Sequence, residues 1–244
     1  MSTRLHAALV LLLLPLASCA DEERQTLQVL AAASLTDVFT DLAATFEDDH
    51  PGVDVQLSLG SSTDLAGQAA DGAPGDVLAT ADEESMRIAE EAGAAARPLD
   101  FATNHLVIVT PRGNPAAVAS VRDLAGTTWV RCADDVPCGR TAVAVLEQGG
   151  AEDEPVSLEE DVRGSLDKVV SGEADAALVY ASDAVSAGDE VVTVPIDGAE
   201  DLSVSYWIAL LEQSADADLA GDFVDLVRGD QGLAALQEAG FGPR

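Results

Sequence analysis

Hydroxyl residues stand at two points where a predicted strand is followed at once by a predicted helix. The first point is the segment 32–36, which contains Ser34, and the second is the segment 60–63, which contains Ser61 and Ser62. The first four N–H groups of a helix have no partner inside the helix, and the helix dipole favours negative charge at that end. Each junction could therefore bind an anion without a formal positive charge. Plain N-capping is the structural alternative, because Ser is a favoured cap.

Two further helix starts and one strand end are candidates of the same kind. A helix is predicted from residue 140, directly after the segment 136–139, and another from residue 163, directly after Asp161 and Val162. Tyr180 is the last residue of a predicted strand, where its hydroxyl can point into a cleft at the carboxyl end of a sheet. All these candidates are neutral hydrogen-bond donors.

The elements that must position these junctions alternate between strands and helices. Apolar residues at every second position predict the strand 53–59, and apolar residues at helical spacing predict the helix 35–47. Further strands are predicted at 27–30, 77–79, 106–109, 128–132, 176–180, 191–194 and 205–211, with a short segment at 158–161. Further helices are predicted at 64–70, 83–92, 140–147, 163–171 and 219–239, the last broken at Gly229. Alternating strands and helices predict an α/β fold with largely parallel sheets.

The beginning of the chain has the pattern of an export signal. Arg4 is followed by an apolar stretch at 7–14, which is too short to span a bilayer, since a span takes about 20 residues. The small residues before Cys19 are typical of a lipoprotein processing site, so residues 1–18 are predicted to be a signal peptide, Cys19 the lipidated N-terminus and residues 19–25 a tether. An ordinary signal peptide that happens to contain a cysteine is the alternative.

Two cysteines remain after Cys19. Cys132 and Cys138 are separated by five residues that include Pro137, and an exported protein meets conditions that permit a disulfide. A disulfide is the favoured interpretation, free thiols are the second, and a metal site is the weakest because no histidine lies near this pair.

The charge balance excludes two classes of partner. Asp and Glu number 44 against 12 Lys and Arg, which gives a formal net charge of −32. Binding to a nucleic-acid backbone or to an anionic membrane surface requires a basic patch, so neither is predicted. The acidic residues are spread along the chain and are typical of a solvated surface.

Short motifs in a fixed order resemble the ModA family, the periplasmic molybdate-binding proteins of ABC importers. The resemblance covers essentially all of residues 27–242, and its specificity lies in the ordered set rather than in any single motif. The matching stretches are 31–36, 60–62, 72–77, 81–83, 104–107, 136–139, 160–163, 172–176, 179–184 and 239–241.

The resemblance implies the two-lobed (type II) periplasmic-binding-protein fold, with a mostly parallel sheet flanked by helices in each lobe. Lobe I is expected at 26–103 plus 205–244, and lobe II at 104–204. The ligand is expected to be molybdate or tungstate in the cleft between the lobes. The ligand-binding residues carried over by motif are the hydroxyls and N–H groups of Ser34 and Ser62, the N–H groups of Cys138 and Val162, and the hydroxyl of Tyr180.

The same resemblance implies the partners. We expect an exported, lipid-anchored monomer that performs no covalent chemistry and delivers its ligand to a membrane permease driven by a cytoplasmic ATPase. Molybdenum would enter only as the oxyanion, so no cofactor and no metal-ligating side chains are expected. The lipid anchor would be its only membrane contact, and no nucleic acid is expected as a partner.

Some residues depart from the family pattern or lie beside the expected site. The position of Cys138 is commonly Ala in the family, which preserves the N–H donor. Asp134 and Asp135 lie in the same loop and are expected to point to solvent, because they would repel an anion. Arg140 and Arg163 are interpreted as helix-surface or inter-lobe residues rather than as ligands.

Other functions stay open at this point. A binding protein for sulfate or phosphate would have the same pattern, because cleft size is not visible in a sequence. An exported Ser hydrolase is the remote alternative: outside the signal peptide the chain has only His50 and His105 as histidines, and it has no G-x-S-x-G motif. A ligand-sensing domain of a regulator is disfavoured by the export signal.

Overall fold

A computed structural model describes residues 24–151 and 153–244. The predicted signal peptide 1–18, Cys19 and most of the predicted tether 19–25 lie outside the described residues. The strands within them are β1 (Gln25–Ala32), β2 (Val53–Gly60), β3 (Val77–Thr80), β4 (Ala95–Asn104), β5 (Leu106–Pro111), β6 (Trp129–Cys132), β7 (Ser157–Glu159), β8 (Ala176–Tyr180), β9 (Val191–Val194) and β10 (Val204–Leu211). The α-helices are α1 (Thr36–Asp49), α2 (Ser62–Ala70), α3 (Glu83–Glu91), α4 (Pro137–Gly149), α5 (Val162–Val170), α6 (Ala181–Ala187), α7 (Ala217–Arg228) and α8 (Asp230–Glu238).

The strands form two five-stranded sheets, in the orders β2-β1-β3-β10-β4 and β7-β6-β8-β5-β9. In the first sheet β1 is parallel to β2 and β3, whereas β10 is antiparallel to β3 and β4. In the second sheet β6 is parallel to β7 and β8, whereas β5 is antiparallel to β8 and β9. Each sheet is therefore mixed, with four strands in one direction and one strand reversed, and the predicted mostly parallel α/β architecture is confirmed.

The chain passes between the sheets twice. It leaves the first sheet at Asn104, where β4 ends, and enters the second sheet at Leu106, where β5 begins. It returns between the end of β9 at Val194 and the start of β10 at Val204. We call the first sheet with α1–α3, α7 and α8 lobe I, and the second sheet with α4–α6 lobe II.

The core is built mainly from Ala, Val and Leu, with a small group of aromatic rings in lobe I. The apolar residues of α1 face inward, and Phe39 and Phe46 make edge contacts with Phe223 of α7, at ring distances of 5.9 and 5.4 Å. Tyr206 of β10 is fully buried and packs against Phe241 at 5.2 Å. This cluster fixes the C-terminal helices against the sheet. No helix in the described part of the chain is long and apolar enough to cross a membrane.

Three elements differ from the sequence prediction. Strand β4 was not predicted, because it contains Pro98 and exposed residues; it is an edge strand, where Pro is tolerated. Helix α6, directly after Tyr180, was not predicted; it begins there because the Asp183 side chain accepts the Tyr180 N–H at 3.2 Å and caps the helix. Helix α4 begins three residues before the predicted Arg140, with Pro137 at its first position, where the missing N–H costs nothing.

Candidate functional site

A small cavity lies between the two lobes. Its volume is about 20 Å³, which is the scale of one or two water molecules, since one water needs about 10–15 Å³. A cavity of this size suits a compact ligand of few atoms rather than a sugar or a peptide. The lining residues are Ala32, Ala33, Ser34, Gly60, Ser61, Ser62, Ala81, Val136, Pro137, Cys138, Asp161, Val162 and Tyr180.

Four helix starts meet at this cavity. In lobe I the 3-10 turn Ala33–Leu35 leads into α1, and α2 begins at Ser62. In lobe II α4 begins at Pro137 and α5 at Val162. Unpaired N–H groups and positive dipole ends from both lobes therefore surround one space. All five predicted binding residues, Ser34, Ser62, Cys138, Val162 and Tyr180, lie in the lining; their role as ligands stays a prediction.

The hydroxyls of Ser34 and Ser62 are held by the protein in a way that leaves them able to donate. Ser62 Oγ accepts the Ala81 N–H at 3.0 Å, so its proton is not used in that bond. Ser34 Oγ lies 2.8 Å from the hydroxyl of Tyr206, and either oxygen can donate. When Tyr206 donates, the Ser34 proton is free for the cavity.

Two other hydroxyls in the lining are buried without a hydrogen-bond partner among the described residues: Ser61 Oγ and Tyr180 Oη. Buried polar atoms are normally paired, so such atoms call for an explanation, and a polar ligand between them supplies one. Sequence reasoning selected Tyr180 but not Ser61. The two neighbouring serines could not be separated, because a sequence does not show which of them is hydrogen-bonded to the backbone.

The first turn of α4 contributes one free N–H group. Pro137 has no N–H, and the N–H groups of Gly139 and Arg140 both donate to the carbonyl of Val136 at 3.0 Å. Among the described residues this leaves Cys138 N–H as the unpaired donor of the turn. A disulfide joins Cys138 to Cys132, with their Cα atoms 5.7 Å apart.

The start of α5 is different, because a carboxylate caps it. Asp161 Oδ1 accepts the N–H of Gly164 at 3.0 Å, and this leaves the Val162 N–H at the cavity. Asp161 is the one acidic residue among the described residues that line the cavity, and its charge is directed into the helix start. No Lys, Arg or His belongs to that lining. The positive potential at the cavity therefore comes from backbone dipoles and hydroxyls.

Both tyrosine hydroxyls remain protonated donors. Burial, with the nearby charge of Asp82, raises the pKa of Tyr180 above its ordinary range. Burial also raises the pKa of Tyr206 well above its ordinary value. Neither group ionises at physiological pH.

Arg140 connects the lobes on one side of the cavity. Its guanidinium donates to Asp82 Oδ2 at 2.6 and 3.0 Å and to Ser85 Oγ at 3.0 Å, both in lobe I. It also donates to the carbonyl of Asp135, which accepts a second bond from Thr63 at 2.9 Å. The side chains of Asp134 and Asp135 are exposed, as predicted, and neither lines the cavity.

Arg163 connects the lobes on another side. It pairs with Asp37 of α1, and its Nε lies 3.1 Å from Asp183 Oδ1, without hydrogen-bond geometry. Partial burial by itself would raise the pKa of Asp37. Hydrogen bonds from Ser186 and Arg163 outweigh that effect and lower the pKa. Burial raises the pKa of Asp183 to about 7, although Arg163 and the Tyr180 N–H oppose the shift. Of the two interpretations offered for Arg140 and Arg163, helix-surface or inter-lobe residues, these contacts favour the second, and that neither arginine is a ligand stays a prediction.

The two histidines that a Ser hydrolase would need lie outside the cavity. His50 ends α1 and stacks on Phe46 at 4.0 Å, and neither His50 nor His105 lines the cavity. Within residues 24–151 and 153–244, no group of three or more His, Cys, Asp or Glu side chains could hold a metal ion.

Comparison with known proteins identifies the family. Residues 27–242 match the family model described as bacterial extracellular solute-binding protein. The molybdate-binding protein ModA of Mycobacterium tuberculosis is 39% identical over 220 residues, which are 89% of this chain and 84% of that protein. The chain belongs to the ModA family of solute-binding proteins. It is an extracellular solute-binding protein and not an enzyme.

Solved structures similar to this ModA-family chain include binding proteins for different anions. The periplasmic molybdate-binding protein of Azotobacter vinelandii has a TM-score of 0.78 at 20% identity, over 89% of this chain and 99% of that chain. The sulfate-binding protein SubI of Mycobacterium tuberculosis has a TM-score of 0.77 at 18% identity, over 90% and 87% of the two chains. At these identities the likeness establishes the periplasmic-binding-protein fold alone, because proteins of different anions share it.

Proposed function

We propose that this protein captures molybdate or tungstate in the cavity between its lobes and delivers the oxyanion to the membrane permease of an ABC importer. The observation that carries the proposal is the pair of buried hydroxyls, Ser61 and Tyr180, that face a cavity of about 20 Å³ without a protein partner. A small polar ligand with several acceptor atoms would satisfy both.

The chemistry of the lining supports a fully ionised tetrahedral oxyanion. Such an ion has only acceptor oxygens, and the proposed contacts are all donors. The hydroxyls of Ser34, Ser62 and Tyr180 and the N–H groups of Cys138 and Val162 are joined by the unpaired hydroxyl of Ser61. Hydrogen bonds to a charged acceptor are roughly twice as strong as neutral ones. Neutral donors aimed into a dry cavity can therefore bind an anion on a protein whose net charge is −32, because distant surface charge is screened.

The choice of anion rests on the sequence relatives. The relative that is 39% identical over 89% of this chain is named as a molybdate-binding protein. Sulfate and phosphate remain the alternatives that the experiment must test, because the fold is shared with a sulfate-binding protein.

The lobe division and the anchor complete the proposal. Lobe I would comprise residues 26–103 and 205–244 and lobe II residues 104–204, and the two would close over the ion as a monomer. The two crossings of the chain near residues 104 and 204 support this division. Cys19 would carry the lipid that holds the protein at the outer face of the cell membrane, within reach of the permease and its ATPase.

Thermal unfolding of a chain that begins at Asp21 tests the ligand. The chain is heated with molybdate, tungstate, sulfate, phosphate or no added oxyanion. A ligand at about 100 times its dissociation constant stabilises by about 2.7 kcal/mol, which raises the midpoint by roughly 5–11 °C for a protein of this size. We expect a rise with molybdate and tungstate only. A rise with sulfate or phosphate alone would change the ligand and keep the fold.

Two neighbouring alanine variants test the site. Ser61→Ala and Ser62→Ala should each weaken oxyanion binding, because each removes a hydroxyl donor worth about 1.5–3 kcal/mol to a charged acceptor. Only Ser62→Ala should also lower the free energy of unfolding without oxyanion, because it removes the partner of the Ala81 N–H. Unchanged affinity in both variants would overturn the site assignment.

The anchor has its own test. Cells that express the full chain are labelled with a radioactive fatty acid, and the Cys19→Ala variant is the control. Label in the wild-type protein and none in the variant is expected. An unlabelled wild-type protein would overturn the lipoprotein assignment and leave the ligand proposal untouched.

A further inference from the structure

We propose that Cys132 is a positioning residue for the oxyanion site: its disulfide with Cys138 holds the N–H group of Cys138 toward the ligand and thereby raises the affinity. The inference rests on the proposed function and adds to it a covalent device that sets how well one donor is aligned. Cys132 itself does not line the cavity, whereas Cys138 does.

The first step is that the start of α4 depends on a single donor. Its other early N–H groups are absent, at Pro137, or already bonded to the carbonyl of Val136. Val136, the N-cap residue, makes no side-chain cap. A small rotation of this turn would therefore remove the one hydrogen bond that the helix start offers to a ligand.

The disulfide attaches the start of α4 to a buried strand. Cys132 is the last residue of β6, which lies between β7 and β8 in the second sheet and is fully buried. The disulfide links this rigid strand directly to the second residue of α4. Besides the disulfide, two backbone bonds hold the loop between them: Ala133 N–H to the Glu159 carbonyl at 2.9 Å, and Val136 N–H to the Ala133 carbonyl at 3.3 Å. Two arginines of lobe II also hold it, Arg140 through the Asp135 carbonyl and Arg131 through the Asp134 side chain.

One hydrogen bond that holds this loop comes from lobe I and is lost when the lobes separate. The carbonyl of Asp135, in the same loop, accepts a hydrogen bond from Thr63 of lobe I. Opening of the cleft breaks that bond, so the loop loses a constraint in the form that must first meet the ligand. The disulfide lies entirely within lobe II and persists. A donor that stays aligned before binding spares the ordering cost that a loose donor would incur on binding.

The loop also packs tightly against the helix start at one glycine. A Cβ at Gly139 would lie 1.7 Å from the carbonyl oxygen of Ala133. This close packing keeps the loop against the helix start when the bridge is absent, so loss of the bridge should leave lobe II folded and allow the Cys138 N–H to rotate. The proposal therefore predicts a change in affinity in a protein that is still folded.

The first experiment compares dissociation constants for molybdate by calorimetry in the full-length protein and in the double variant Cys132→Ala/Cys138→Ala, which keeps the N–H at position 138. We expect about tenfold weaker binding in the double variant, part of the worth of one hydrogen bond to a charged acceptor. Circular dichroism confirms that both proteins are folded, and the single variant Glu173→Gln on the surface of lobe II is the control.

The second experiment measures the effect of bound molybdate on reduction of the disulfide, which must mirror the effect of the disulfide on molybdate binding. The wild-type disulfide is equilibrated with a dithiol, which supplies two electrons and two protons, becomes a disulfide itself and leaves Cys132 and Cys138 as thiols. If the bridge raises the affinity tenfold, saturating molybdate must oppose reduction tenfold, because coupling is reciprocal; this equals about 30 mV in reduction potential. Chloride at equal ionic strength is the control. A disulfide that only stabilises the fold would change the unfolding temperature but neither of these two quantities.

The outcomes separate this proposal from the proposed function. Tenfold weaker binding with a matching shift in the reduction equilibrium supports the positioning role. Equal affinities in two folded proteins, with no shift, overturn that role and leave the oxyanion site in place. A wild-type protein that binds none of the four oxyanions overturns the proposed function and the positioning role with it.

Discussion

Replacement of Tyr180 should weaken oxyanion binding with little effect on the free energy of unfolding. Its hydroxyl is fully buried and has no partner among the described residues. In Tyr180→Phe we expect the oxyanion affinity to fall about ten- to hundredfold, since a hydrogen bond to a charged acceptor is worth about 1.5–3 kcal/mol. The free energy of unfolding without oxyanion should change little, because the neighbouring Thr141 hydroxyl keeps its own hydrogen bond to the Pro137 carbonyl at 2.9 Å. Calorimetric titration and denaturant unfolding measure the two quantities.

Tyr206 provides the matched control for that variant. It is also fully buried, but its hydroxyl lies 2.8 Å from Ser34 Oγ. Tyr206→Phe removes the same atom and should lower the free energy of unfolding by about 1 kcal/mol, because Ser34 loses its partner. If Tyr180→Phe destabilised the protein as much as Tyr206→Phe, the Tyr180 hydroxyl would have a structural partner and the argument from its unpaired state would fail.

Asp183 should make stability depend on pH. Burial raises its pKa to about 7 in the folded protein, whereas an unfolded Asp has a pKa of about 3.9. Between these values the folded state binds the proton and the unfolded state does not, so the contribution of Asp183 is complete below pH 4 and is lost as the pH rises through 7. We expect the free energy of unfolding, relative to Asp183→Asn, to fall from pH 4 to pH 7.

The Asp183→Asn comparison is necessary because the whole acidic surface also titrates. The charged groups around Asp183 are Arg163, Asp37 and Asp161, and all three remain in the variant. Denaturant unfolding at pH 5 and pH 8 measures the difference between the two proteins. A difference that does not change between pH 5 and pH 8 would mean that Arg163 keeps Asp183 ionised in the folded protein.

Helices α1 and α5 meet across the cleft through Asp37 and Arg163, and under the proposed function this contact would hold the lobes closed over the ion. Asp37→Asn should raise the dissociation rate of the oxyanion about two- to fivefold, because a partly exposed ion pair is worth up to about 1 kcal/mol. Stopped-flow displacement measures the rate. An unchanged rate would show that this pair does not hold the lobes together.

The control for Asp37→Asn lies within one lobe. Glu173 pairs with Lys168 at 2.7 Å, and its side chain is 61% exposed against 57% for Asp37. Glu173→Gln therefore removes a similarly exposed charge from an ion pair that does not cross the cleft, and it should leave the dissociation rate unchanged.

At the level of elements, patterns that are local in the sequence were predictable and those that depend on a distant partner were not. The spacing of apolar residues predicted helices from residues 64 and 163, within two residues of the observed starts at Ser62 and Val162. The five candidate binding residues came from the resemblance to the ModA family. Strand β4 could not be predicted, because only its pairing with β10 at the edge of the sheet gives it order. The inter-lobe partners of Arg140 and Arg163 likewise lie 58 and 126 residues away in sequence.

The charge of the whole molecule should govern how fast the ligand arrives. With a formal net charge of −32, the protein repels a dianion over distances of about the screening length, which is about 8 Å at physiological salt and about 30 Å at 0.01 M. We expect the association rate to rise as sodium chloride increases from 0.01 to 0.15 M. Stopped-flow mixing with molybdate measures it.

The dissociation rate is the internal control, since the contacts inside the cavity are shielded from salt, and it should vary less. An association rate that falls with added salt would contradict the prediction. It would mean that the helix starts and the two inter-lobe arginines attract the ion more strongly than the acidic surface repels it.

The position of β10 between β3 and β4 determines the order in which the two sheets can form during synthesis and export. The second sheet uses only strands from residues 106–194, a continuous stretch, so it can form as soon as that stretch has left the ribosome or the export channel. The first sheet has a gap between β3 and β4 until residue 211 emerges, although its first strand is made before any other. The N-terminal half of lobe I must therefore wait, with sheet edges open, while lobe II folds behind it. Such unpaired edges are where aggregation begins, and chaperones that hold exported chains would be needed mainly during this interval.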